Sequence, residues 1–166
     1  MNSIYVKTVL YSYANLEEVM EQIDDLVERR ALMSMNDFSP CVEQCEKIID
    51  LTYQKDVLID LKIFCDKAFS RLSDHELDCL DYKYFKKKPK SYYVGFDAES
   101  RNYFRKQVRL LSRVAERFNK VGLTDEWFLS NALKVNFLSE LLRRVKKMED
   151  RKKKRFLQTE GFKQVA

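Results

Sequence analysis

Turn-forming residues are scarce in this chain: three glycines and two prolines in 166 residues. A β-rich fold needs a turn every ~8–12 residues, so sheets are excluded and an all-α fold is expected. No apolar run approaches the ~20 residues of a membrane-spanning helix. The apolar segment Ile4–Leu10 has neither a basic lead nor a small-residue cleavage site, which points to a cytoplasmic protein without membrane contact. His75 is the single histidine, and Cys41, Cys45, Cys65 and Cys79 form no Cys-x-x-Cys pair, so neither a metal centre nor a cofactor is expected. Cys41 and Cys45 stand one helical turn apart and would share a face, but small hydrophobes in a reducing compartment are the plainer reading. Catalytic patterns are missing too. There is no phosphate-cradling glycine loop, no Ser/His/Asp spacing and no carboxylate cluster in the basic half, so no enzyme is expected. Asp24 with Asp25, or Asp56 with Asp60, lack the Glu-x-x-His companions of a helical metal site.

What the chain does have is charge, unevenly divided. Residues Met1–Ser70 carry 7 Lys+Arg against 13 Asp+Glu, and Arg71–Ala166 carry 24 against 13. An acidic front and a basic back direct the back towards nucleic acid or another polyanion, leaving the front for packing or a protein partner.

Three units follow from the helical periods and caps. Residues 1–70 are expected to form a long, acidic, antiparallel helical hairpin. Its first helix is capped by Asn15, runs to about Met35, and has Leu16, Val19, Met20, Ile23, Leu26 and Val27 on its apolar stripe. A break at Asn36–Ser39 leads to a second helix, with Ser39 as cap and Pro40 in the first turn, reaching about Ser70. Residues 71–122 are expected to form a helix-turn-helix-like DNA-binding unit. It opens with the capping box Ser73-Asp-His-Glu76, stapled by Leu72 and Leu77. That helix should end at Lys86-Lys-Lys-Pro89-Lys90, where lysines suit the C-terminal dipole and proline blocks continuation. After a polar break at Asp97–Glu99, Ser100 opens a helix to Val121-Gly122. Its expected apolar stripe is Phe104, Val108, Leu111, Ala115 and Phe118, and its cationic stripe is Arg101, Arg105, Arg109, Arg113 and Arg117. Residues 123–166 are expected to form one amphipathic basic helix, capped by Thr124 and packed on the preceding unit.

The function-bearing constellation is the start of the Ser100 helix. A major groove admits one α-helix, whose N-terminal side chains reach base edges while neighbouring cations neutralise phosphates. Arg101, Asn102, Arg105 and Lys106 are therefore the base-reading candidates. Lys86, Lys87, Lys88, Lys90 and Arg109 are the phosphate contacts, which position without reading sequence. Arg113 and Arg117, further along, should matter least. The same arginines would equally serve as a solvated helix face, or pair with the acidic hairpin. Interleaved Tyr92, Tyr93, Tyr103 and Phe104 fit stacking on bases, and fit a core as well.

Leu72-Ser-Asp-His-Glu-Leu-Asp-Cys-Leu-Asp-Tyr-Lys-Tyr-Phe85, followed a helix later by Ser100-Arg-Asn-Tyr-Phe-Arg-Lys-Gln107, resembles the region-four module of bacterial sigma factors and phage late-gene regulators of the ArpU and RinA type. The resemblance covers about residues 72–120. It implies a capped helix followed by a bihelical DNA-reading unit, duplex DNA as ligand, and RNA polymerase or another protein as a candidate partner of the acidic hairpin. No segment resembles the other sigma regions, so a regulator and not a complete sigma factor is implied. Homodimerisation stays open. The alternative is a helical interaction or scaffold protein that binds no nucleic acid.

Overall fold

An apolar and aromatic segment near the N-terminus forms a largely buried helix. The computed structural model describes residues 1–35, 41–89, 92–93 and 101–163, without the side chains of residues 34, 35, 101 and 156–163. Among these residues there is no strand. Helix α1, Ser3–Tyr13, starts where the Asn2 side chain accepts the Ile4 amide at 2.9 Å. Val6, Thr8, Val9, Leu10 and Ser12 are all fully buried. A short helix lacking a polar face is one enclosed on several sides, and α1 packs on the last helix, on the helix Arg101–Val121 and on the turn Asp81–Phe85. Buried Thr8 and Ser12 lose no hydrogen bonding, because their hydroxyls donate to the carbonyls of Ile4 and Val9, both at 2.8 Å.

Helices α2, Leu16–Met35, and α3, Cys41–Phe69, run antiparallel. Their cross-links descend along one as they climb the other: Glu17 with Lys62 at 3.2 Å, Asp24 with Lys55 at 2.6 Å, and Arg30 donating to Gln44 at 3.2 Å. The expected break at Asn36–Ser39, with Ser39 as cap, lies outside the described residues.

The capping box forms as its residues dictate. In α4, Asp74–Leu80, the Glu76 amide donates to Ser73 Oγ at 3.4 Å and the Ser73 amide donates to Glu76 Oε2 at 3.1 Å. The helix then widens into a π-helical turn, Asp81–Phe85, which Lys86 ends in the left-handed region at φ 47°. Helix α5, Arg101–Val121, stops in a Schellman motif. There Gly122 takes φ +99°, the Leu123 amide donates to the Phe118 carbonyl at 2.9 Å, and the Gly122 amide donates to that of Asn119 at 3.2 Å.

Two expectations are corrected. The basic C-terminal segment is not one helix: α6, Asp125–Ser130, is followed by a 3-10 turn, Ala132–Lys134, and then by α7, Asn136–Lys163. Thr124 does cap α6, accepting the Trp127 amide at 3.2 Å. The bend is held from outside the segment. Buried Gln54 on α3 accepts the Asn136 amide at 3.2 Å, supplying the acceptor that a new helix start needs. Both Ala132 and Val135 are buried in the bend.

The second correction concerns α5. Its buried side chains are Tyr103, Gln107, Leu110, Val114 and Phe118, whereas Phe104 is 59% and Val108 is 69% exposed. The helix is turned by about one residue from its most apolar stripe. The physical reason is Gln107, which interrupts the true inner stripe in sequence but donates from Nε2 to the Cys79 carbonyl at 3.4 Å once α4 is in place. One contiguous buried cluster then joins Val6, Leu58, Leu61, Leu80, Phe118, Phe128 and Leu138, crossing the divisions at residues 70 and 122.

Candidate nucleic-acid interface

Because α5 buries the side holding Tyr103, Leu110 and Val114, its opposite side must carry Arg105 and Arg109 into solvent. Asn102, Arg105, Lys106 and Arg109 are all exposed. Arg105 and Arg109 flank a shallow hollow floored by Phe104 and Val108. One turn around the helix, Lys106, Arg109 and Arg113 face His75 and Glu76 of α4 across a second hollow of about 200 Å³. Arg101 begins α5, but its side chain, like Ser100 and Lys90, lies outside the described residues.

The joint lysines are exposed as well, and held in different ways. Lys88 sits 3.8 Å from the centre of the Tyr92 ring, and Lys87 is 5.8 Å from that of Tyr13 on α1. A run of ring contacts links the joint to the start of α5: Tyr92 to Tyr93 at 5.4 Å, Tyr93 to Tyr82 at 5.2 Å and Tyr82 to Tyr103 at 6.3 Å. The Tyr93 hydroxyl also donates to Asp81. Burial, and then that carboxylate, push the Tyr93 phenol upward. Of the four aromatics, Tyr93 and Tyr103 are thus core, and Tyr92 and Phe104 remain outside.

Electrostatics decide whether these cations are already satisfied. Of the acids on α2 and α3, Glu17 pairs with Lys62 and Asp24 with Lys55, both within those two helices. Among the described residues no ion pair joins α5 to α2 or α3. A single one joins it to α4: Arg113 with Glu76 at 2.6 Å. The Glu76 carboxyl lies below its ordinary range, first because the Ser73 amide donates to it and further because Arg113 lies beside it, with partial burial opposing. Among the described residues, no carboxylate pairs with Arg105, Lys106 or Arg109.

Sequence reasoning passed over a third feature. Lys67, at the end of α3, and Arg71, in the turn just after it, line a cleft of about 280 Å³ with Arg113, Arg117 and Lys120 of α5. The visible signal was the spacing of four between Lys67 and Arg71, and again between Arg113 and Arg117; that the two pairs face each other belongs to the packing of α3 on α5.

Among the described residues, no group of three His, Cys, Asp or Glu side chains is placed to hold a metal ion. Cys65 and Cys79 are buried, Cys41 and Cys45 exposed, and all four are free thiols. No helix of the described residues is long and apolar enough to cross a membrane. No protein-family model, curated protein or solved structure matches this chain.

Proposed function

We propose that this protein binds duplex DNA through the outer face of α5, as a transcriptional regulator of bacterial or phage type. One observation carries the proposal. Arg105, Lys106 and Arg109 stand exposed on a helix whose inner side is anchored in the core, and among the described residues no carboxylate forms an ion pair with any of them. A rigid helix with an unneutralised cationic face has the shape and charge a major groove accepts. On this reading Arg101, Asn102, Arg105 and Lys106 read bases, while Lys86, Lys87, Lys88, Lys90 and Arg109 hold phosphates. Phe104 and Val108 add apolar surface suited to thymine methyl groups. The resemblance to sigma region four supports the same docking.

The test is a fluorescence-anisotropy titration with random duplex and with a selected site, over a range of salt. Arg105→Ala should cost roughly 1–3 kcal/mol on the selected site and relax one base preference. Lys87→Ala should weaken every sequence alike and flatten the salt slope by about one. Absence of any binding at micromolar protein and low salt would refute the proposal.

A second reading, a helical interaction protein, is favoured by the outer side of the hairpin. Val42 is 71% and Ile49 is 68% exposed, one above the other at a spacing of seven, and Leu32 and Met33 on α2 are exposed as well. The two readings are compatible if the hairpin contacts RNA polymerase, another protein or a second copy while α5 holds DNA.

A further inference from the structure

The cleft between the end of α3 and the second half of α5 is built from five cations and a single carboxylate. Lys67 comes from α3 and Arg71 from the turn that follows it, Arg113, Arg117 and Lys120 come from α5, and Ala68 and Val121 form an apolar backing. Glu116 is engaged by Lys120 at 2.7 Å, and Arg113 by Glu76 at 2.6 Å. Among the described residues no ion pair satisfies Lys67, Arg71 or Arg117. Part of this charge answers the two helix C-termini that meet here, but each supplies only about half a negative charge. Five cations against the single Glu116 carboxylate in a concave site leave a positive potential that an anion from solution relieves.

Size and donor chemistry narrow the anion. At about 280 Å³ the cleft falls just under the range of drug-sized ligands and suits one or two phosphate groups. Two guanidinium groups from facing elements offer the paired N–H forks that match phosphate oxygens.

We infer that the Lys67/Arg71/Arg117 cleft is a phosphate-binding site. Its position on α5 alone would place Arg117 beyond groove contact, whereas its place in the cleft gives it a phosphate to hold. Arg117 lies three turns from Arg105, about 18 Å along the helix, or roughly five steps of one DNA strand. A backbone phosphate seated here would hold a duplex at the far end of α5, about a third of a turn around the helix from Arg105. That source of the phosphate, unlike the site itself, rests on the DNA-binding reading above.

The experiment compares the full chain with the double variant Arg71→Gln/Arg117→Gln, and with Lys146→Gln/Lys147→Gln as a control of equal charge loss on α7. Circular dichroism establishes that each is folded. In one arm, inorganic pyrophosphate is titrated by calorimetry; in the other, random duplex is titrated across salt. The Arg71/Arg117 variant should lose pyrophosphate affinity by roughly tenfold or more, or lower the duplex salt slope by about one to two on every sequence, with the control unchanged in that arm. A specific loss in the duplex arm identifies the nucleic-acid backbone as the source. Should the wild type bind no duplex while the pyrophosphate loss stays specific, the site stands with a free phosphate compound as ligand and the DNA reading falls. If the variant behaves like the control in both arms, only diffuse charge is at work and the inference is overturned.

Discussion

Two valines on one helix separate the orientation of α5 from everything else about it. Val114 is 1% exposed and Val108 is 69% exposed, so Val→Ala at each makes the same chemical change in opposite surroundings. Removing two methyl-sized groups from the core at Val114 forfeits about 1.6 kcal/mol at ~0.8 kcal/mol per group, and the cavity left behind adds to it. Alanine returns about 0.5 kcal/mol of helix propensity at either site. The net expectation is a loss of about 1–2 kcal/mol for Val114→Ala; at Val108 the small burial lost and the propensity gained roughly cancel. For a chain of this length about 1 kcal/mol moves Tm by ~2–4 °C. Thermal and urea denaturation followed by circular dichroism should therefore show Val114→Ala melting several degrees lower and Val108→Ala close to the parent. If Val108→Ala were as damaging as Val114→Ala, α5 would be turned onto the apolar stripe that includes Phe104 and Val108. The exposed cationic face, and the DNA-binding proposal built on it, would then lose their basis.

Two further outcomes follow from local geometry. Gly122 sits at φ +99°, where a side chain is strained, although its Cβ would meet Phe64 only at an ordinary 3.5 Å; Gly122→Ala should cost about 1–2 kcal/mol by urea denaturation, and a neutral result would refute the strain. Glu76, held below its ordinary range by the Ser73 amide and then by Arg113, contributes stability that is present above its unfolded value of about 4.3 and is lost as pH falls through the lower folded value. The stability gap between the parent and Glu76→Gln should accordingly be wide at neutral pH and narrow in acid below that window, while a gap independent of pH would contradict the carboxylate's role.

Where the chemistry is local, the amino-acid sequence was sufficient. The scarcity of glycine and proline gave the all-helical class. Ser73 and Glu76 specified their own helix start, since both partners of a capping box lie three residues apart. Gly122 specified a stop, because the motif it closes needs only Phe118 to Leu123. Arg105, Lys106 and Arg109 were also legible as an exposed cationic group, because charged side chains on an amphipathic helix have nowhere else to go.

Tertiary structure decided whatever depends on a partner far along the chain. Helix Ser3–Tyr13 is enclosed on several sides, which only its neighbours reveal. The inner stripe of α5 contains Gln107, a residue that reads as solvent-facing until the Cys79 carbonyl is set against it. The bend between α6 and α7 is capped by Gln54, 82 positions away. The cationic cleft follows the same logic, since Lys67 and Arg71 meet Arg117 only because α3 and α5 pack together. Sequence spacing governs contacts within a turn or two of helix, and the meeting of distant faces is set by how the whole set of apolar stripes can be buried at once.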